Sequence, residues 1–205
     1  MRGPVVSIDE RAAFRAASRW FRAEVAQVGG RWEEPGLGEW TVRDLVGHTS
    51  RSLVTVETYL DAEPAEVTVD SAAEYYAFVR QVSPTAVAER GREAGRALGA
   101  DPAAFLAGLD ERVQARVTDA PDDAYVATAA GGMRLIDYLP TRTFELVVHT
   151  ADLGAALDVA ARPPDDALAS ALQRAGQLAH SSGVDVDVLL ALTGRRPLAS
   201  GFTVL

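Results

Sequence analysis

The chain has 205 residues, 48% of them apolar and 24% charged, which suits one soluble globular domain, or one with a small appendage, and excludes a disordered chain. Its formal charge of −9 opposes a phosphate backbone, so nucleic acid is not expected as a partner. There is no Cys, which excludes disulfides, thiolate ligands and a protein thiol as nucleophile.

The opening MRGPVVSIDE has no apolar signal core, and no apolar run is long enough to span a bilayer, so a cytoplasmic protein without membrane contacts is the default expectation. Phe14, Ala17, Phe21, Val25 and Val28 recur at helical spacing over residues 8–28, and Gly29-Gly30 stops the pattern. After a Pro/Gly loop, Thr41 is placed to cap a second helix and Asp44 to complete a capping box, with Trp40 and Leu45 set for a hydrophobic staple. That helix runs to about Leu60 with Leu45, His48, Ser52, Val56 and Tyr59 on its inward face, before Pro64 breaks it.

Ser71 opens a short helix to about Gln81, while Ser83-Pro84 and Asp101-Pro102 open two more. YVATAAGGMRL reads as a small hairpin turning at Gly131-Gly132. The longest helix spans about Leu135 to Ala160, with Pro140 near its first turn and Arg142, Leu146, His149 and Leu153 along one stripe. Two shorter helices follow, at about 165–181 and 186–193, and then an irregular tail. The expected fold is all-α: an antiparallel four-helix bundle over 1–161 with a short, mostly helical extension over 162–205 packed on it. Three segments compete for the third position of the bundle.

Two of the three histidines share one frame: D-L-V-G-H-T at 44–49 and E-L-V-V-H-T at 145–150. Glu145 and His149, at i and i+4, share a helix face, and His48 lies on the inward face of another helix. Two imidazoles and a carboxylate are the ligand set of zinc sites that keep a position open. They also suit nickel, iron or manganese. The spacing alone equally describes an exposed i,i+4 pair or a hydrogen-bonded core contact. Asp44 stands to His48 as Glu145 stands to His149, although the cap explains it more simply. Arg142 and Asp152 are placed to orient a ligand by hydrogen bond. Arg195 and Arg196 could clamp a substrate carboxylate or cap a helix in solvent. His180 reads as a surface residue at a helix end.

The run from Trp40 to Thr49 (WTVRDLVGHT), with that from Asp137 to Leu153 (DYLPTRTFELVVHTADL), resembles the mycothiol-dependent maleylpyruvate isomerase N-terminal family, part of the DinB-like superfamily of four-helix bundles. The resemblance covers about residues 8 to 160. It implies a divalent metal, typically zinc, on His48, Glu145 and His149, and mycothiol as cosubstrate for isomerisation or S-transfer. The isomerase itself carries an α/β C-terminal domain, whereas the residues after 160 here read mostly as helix. Fold and metal set therefore carry over, and the particular isomerase reaction does not.

A cation at such a site stabilises a bound thiolate, and a chain without Cys must take its thiol from a small molecule. The same ligands would serve a metal-hydroxide hydrolase, or a non-catalytic metal-binding stress-response bundle. A small electrophile is the expected second partner, and bundles of this size often pair as homodimers.

Overall fold

The computed structural model describes residues 8–205; the beginning of the N-terminal stretch read above for a signal core, residues 1–7, lies outside them. The described elements are α1 (Glu10–Val25), α2 (Val42–Tyr59), α3 (Ala72–Val79), α4 (Pro84–Ala97), α5 (Pro102–Asp119), β1 (Tyr125–Thr128), β2 (Gly131–Arg134), α6 (Leu135–Ala156), α7 (Asp165–Ser181) and α8 (Asp185–Leu192). The all-α DinB-like bundle expected from the sequence is present.

Helix starts are fixed locally. Asp9 accepts from the backbone N–H groups of Arg11 and Ala12. Thr41 and Asp44 form the reciprocal capping box. Ser71, Ser83 and Asp101 cap α3, α4 and α5 through their side chains. Each such cap contributes roughly 0.5–2 kcal/mol.

The bundle is a ring in which α1 packs on α6, α6 on α2, α2 on α5, and α5 on α1. The third position therefore belongs to α5. A buried polar knot holds it there: Asp110 accepts from Ser18 Oγ at 2.6 Å, Arg22 Nη1 at 2.8 Å and Gln114 Nε2 at 3.1 Å. The short α3 sits against α6 and α7, and α7 also covers α1. Phe14, Phe21, Leu45, Leu53, Leu109 and Leu139 are among the side chains withdrawn from water in the core. Burying each is worth roughly 1.5–3 kcal/mol.

Helix α4 lies along the outer side of α2, and glycines set that contact. A Cβ on Gly47 would sit 2.2 Å from the Gly95 backbone nitrogen, and one on Gly91 would strike the Trp40 ring at 2.6 Å. The glycine just before His48 thus lets two helix backbones touch.

Two local expectations change. The hairpin turns at Ala129-Ala130, because Thr128 pairs with Gly131 and Gly132 with Ala127. The glycines instead admit the segment before α3: Thr68 and Val69 donate to the Gly132 carbonyl, and a Cβ on Gly132 would lie 2.4 Å from the Glu66 carbonyl oxygen. Pro140 lies inside α6, in its second turn rather than its first, and is buried. Among the described residues, no helix is long and apolar enough to cross a membrane.

Candidate metal centre

Helix α2 delivers His48 and helix α6 delivers Glu145 and His149 to one end of a cavity of about 470 Å³. One ligand atom from each lies within 4.8 Å of the others. His149 Nε2 is 3.3 Å from Glu145 Oε2. A tetrahedral zinc ion with bonds of about 2.0–2.1 Å would hold its ligand atoms about 3.3 Å apart, so this pair already has that spacing. The His48 and His149 rings meet edge to face at 4.8 Å, and Trp40 lies against the other imidazole neighbour, His48, at 4.5 Å.

Each donor is oriented by a neighbour, with one exception. Asp152 Oδ2 is 3.0 Å from His149 Nδ1, which leaves Nε2 toward Glu145. Tyr76, from α3, donates its hydroxyl to Glu145 Oε1 at 2.8 Å. The exception is His48: its Nδ1 is buried and has no hydrogen-bond partner. An unsatisfied buried polar atom costs roughly 1–3 kcal/mol, and a cation is one way to satisfy an imidazole lone pair.

The electrostatics are divided across the trio. Burial, reinforced by the neighbouring His149, lowers the pKa of His48 to about 3, so its lone pair is free at neutral pH. Burial opposes charge on His149 too, but hydrogen bonds to Asp152 and Glu145 outweigh it and raise the pKa to about 9. Glu145 is likewise buried, yet its bond to His149 and the charge of Arg142 bring it down to about 2. Without a metal, the protonated His149 is the cation between two carboxylates.

Arg142 is buried one turn before Glu145. It donates to Tyr75 Oη at 2.9 Å and Thr141 Oγ1 at 3.0 Å, and stacks over the Tyr75 and Tyr138 rings. It therefore acts on Glu145 through charge rather than by a direct bond. Asp44 is engaged in the α2 cap. Arg195 and Arg196 lie on the exposed tail, bonded to the Thr193 carbonyl and to Asp187, and neither lines the cavity. His180 is exposed and sits 2.7 Å from Asp185.

Sequence reasoning did not find Tyr76, nor Arg51 and Arg90, which line the same cavity. Tyr75-Tyr76 in the short α3 is the signal that was present, but no periodicity connects that pair to α6. A larger cleft of about 770 Å³ lies beside α3, α6 and α7 and contains none of the trio. Its Glu10 is engaged with Ser170 and its Asp137 with Arg134.

Fold and site together define a helical bundle with a two-histidine, one-glutamate cluster facing a cavity. Residues 11–154 match the family described as the mycothiol maleylpyruvate isomerase N-terminal domain, and the chain belongs to that family. It has no significant match among curated proteins or solved structures.

Proposed function

We propose that His48, Glu145 and His149 hold one divalent metal ion, zinc first, with nickel, iron or manganese compatible with the same donors. On this reading the protein is an enzyme that activates a low-molecular-weight thiol of the mycothiol class, for S-transfer to a small electrophile or for its isomerisation. The observation that carries the proposal is the buried, unpartnered His48 Nδ1 beside an imidazole–carboxylate pair with 3.3 Å spacing. Family membership supports the thiol, and the absence of Cys requires that thiol to come from solution.

When bound, such a cation stabilises a thiolate at neutral pH. The chain's own residues have separate tasks. Asp152 fixes the His149 tautomer and makes that imidazole a stronger donor. Tyr76 occupies one oxygen of Glu145 and leaves the other facing His149. Arg142 keeps Glu145 ionised. Trp40, packed on Gly91 and bonded to the Ala88 carbonyl, holds the His48 ring in place. The extension after residue 161 closes one side of the cavity through Leu205.

The test is metal content by plasma mass spectrometry on untagged protein, beside His149→Ala. About one ion per chain, lost in the variant, is expected for three protein ligands. A wild type that carries no metal and takes up none after dialysis against zinc would overturn the site. Metal without any thiol-dependent turnover would remove the thiol chemistry alone.

A further inference from the structure

Four arginines line the cavity: Arg51, Arg80, Arg90 and Arg142. They differ in what already occupies them. Arg142 is committed to Tyr75 and Thr141. Arg80 donates to Ser182 Oγ and to the Val204 carbonyl, tying α3 to the tail. Arg51 and Arg90 have neither a carboxylate partner nor a side-chain hydrogen bond among the described residues, although both are half-buried. The only carboxylate lining the cavity, Glu145, is already held by Tyr76 and His149. Positive charge therefore goes unbalanced at this one place in a chain whose formal charge is −9.

Arg51 follows His48 by one turn on α2, and Arg90 comes from α4, beside the Gly91 that packs under Trp40. Both guanidinium groups thus border the His48 end of the cavity. The remaining wall is apolar, formed by Leu37, Trp40, Phe78, Val82, Val87 and Leu205. A volume of about 470 Å³ suits a small organic molecule rather than a macromolecular segment.

The geometry points to an amphipathic carboxylate as the electrophilic substrate, with its apolar body on that wall and its carboxylate between Arg51 and Arg90. The planar guanidinium fork matches a carboxylate with paired hydrogen bonds, and leaving both forks empty gains nothing for the fold. The inference rests on the thiol-activating reading of the site, to which it adds the class of the second substrate. It places the anion on protein side chains and leaves the metal position to the thiol.

The probes are 4-phenylbutyrate, its neutral amide 4-phenylbutanamide, and acetate, titrated calorimetrically into zinc-loaded protein. Phenylbutyrate is expected to bind about tenfold or more tighter than either of the others, since charge-assisted hydrogen bonds and apolar burial each contribute. In the double variant Arg51→Gln/Arg90→Gln, that affinity falls about tenfold to the level of the amide, while zinc content and helical circular dichroism stay unchanged. Equal binding of acid and amide to the wild type overturns the proposal. A preference for the acid that survives in the double variant also overturns it, because the carboxylate then sits on the metal or on Arg142. The titration is repeated after chelation. A preference retained there, and lost in the double variant, upholds the clamp even if the zinc test fails, so the two readings fall separately.

Discussion

The Tyr76 hydroxyl donates to Glu145 Oε1 at 2.8 Å, joining a short helix outside the bundle ring to the carboxylate of the candidate metal centre. Tyr76 is fully buried, so the bond is made away from water and fixes which oxygen of Glu145 faces His149. Tyr76→Phe keeps the ring and removes only the donor. Zinc affinity, measured by competition with a chromophoric chelator, is expected to fall roughly 10–100-fold, with the far-ultraviolet circular dichroism unchanged. Wild-type affinity in the variant would show that Glu145 needs no such support.

Asp152 is the matching partner of His149, 3.0 Å from Nδ1. Asp152→Asn retains an acceptor but loses the charge. We expect weaker zinc binding by roughly 10–100-fold, and a lower His149 pKa in the metal-free protein, read from its imidazole resonances as pH is varied. A resonance that titrates as in wild type would contradict the role given to Asp152.

The pH dependence of the metal-free protein follows from the trio. His149 has a folded pKa of about 9 against 6.5 ordinarily, so its stabilisation is complete below 6.5 and is lost as pH rises through 9. His48 has a folded pKa of about 3 against 6.5, so its term is present above 6.5 and is lost as pH falls toward 3. Glu145, at about 2 against 4.5, adds its loss below 4.5. With chelator present, thermal stability should peak around pH 6.5 and decline on both sides. His149→Gln should abolish the alkaline decline. An unchanged alkaline slope in that variant would assign it elsewhere.

Gly47 has an added Cβ position 2.2 Å from the Gly95 nitrogen, a backbone atom that cannot swing aside. Gly47→Ala must separate α2 from α4, and urea unfolding is expected to show a loss of about 1–3 kcal/mol. Gly108→Ala on α5 is the control. There a Cβ meets only the Arg112 side chain, at 3.6 Å, and a neutral or slightly stabilising change is expected. Equal effects at the two sites would refute the close-contact account.

Asp110 holds α5 in the ring through Ser18, Arg22 and Gln114. Asp110→Ala leaves Ser18 buried without its acceptor, and a loss of about 1–3 kcal/mol is expected in the same assay, the part-exposed Arg22 adding little. Zinc stoichiometry should stay the same, because Asp110 is absent from the cavity lining. Loss of metal at retained helicity would tie the site to α5 in a way the contacts do not.

The sequence by itself determined what is local. Helix starts were legible because Thr41, Ser71, Ser83 and Asp101 satisfy backbone N–H groups only two or three residues away. The juxtaposition of Glu145, His149 and Asp152 was legible because α-helical spacing alone puts them on one face. Tertiary structure decided the rest. Three capped helices, α3, α4 and α5, were equivalent candidates for the bundle until Asp110 met Ser18, 92 positions away. Tyr76, Arg51 and Arg90 joined the site while Arg195 and Arg196 stayed on the tail, since cavity membership depends on how helices pack. Gly131-Gly132 read as a turn, yet the glycines serve the approach of residues 66–69, a contact that no local pattern encodes. Periodicity states which face of a helix turns inward; only packing decides which other face it meets.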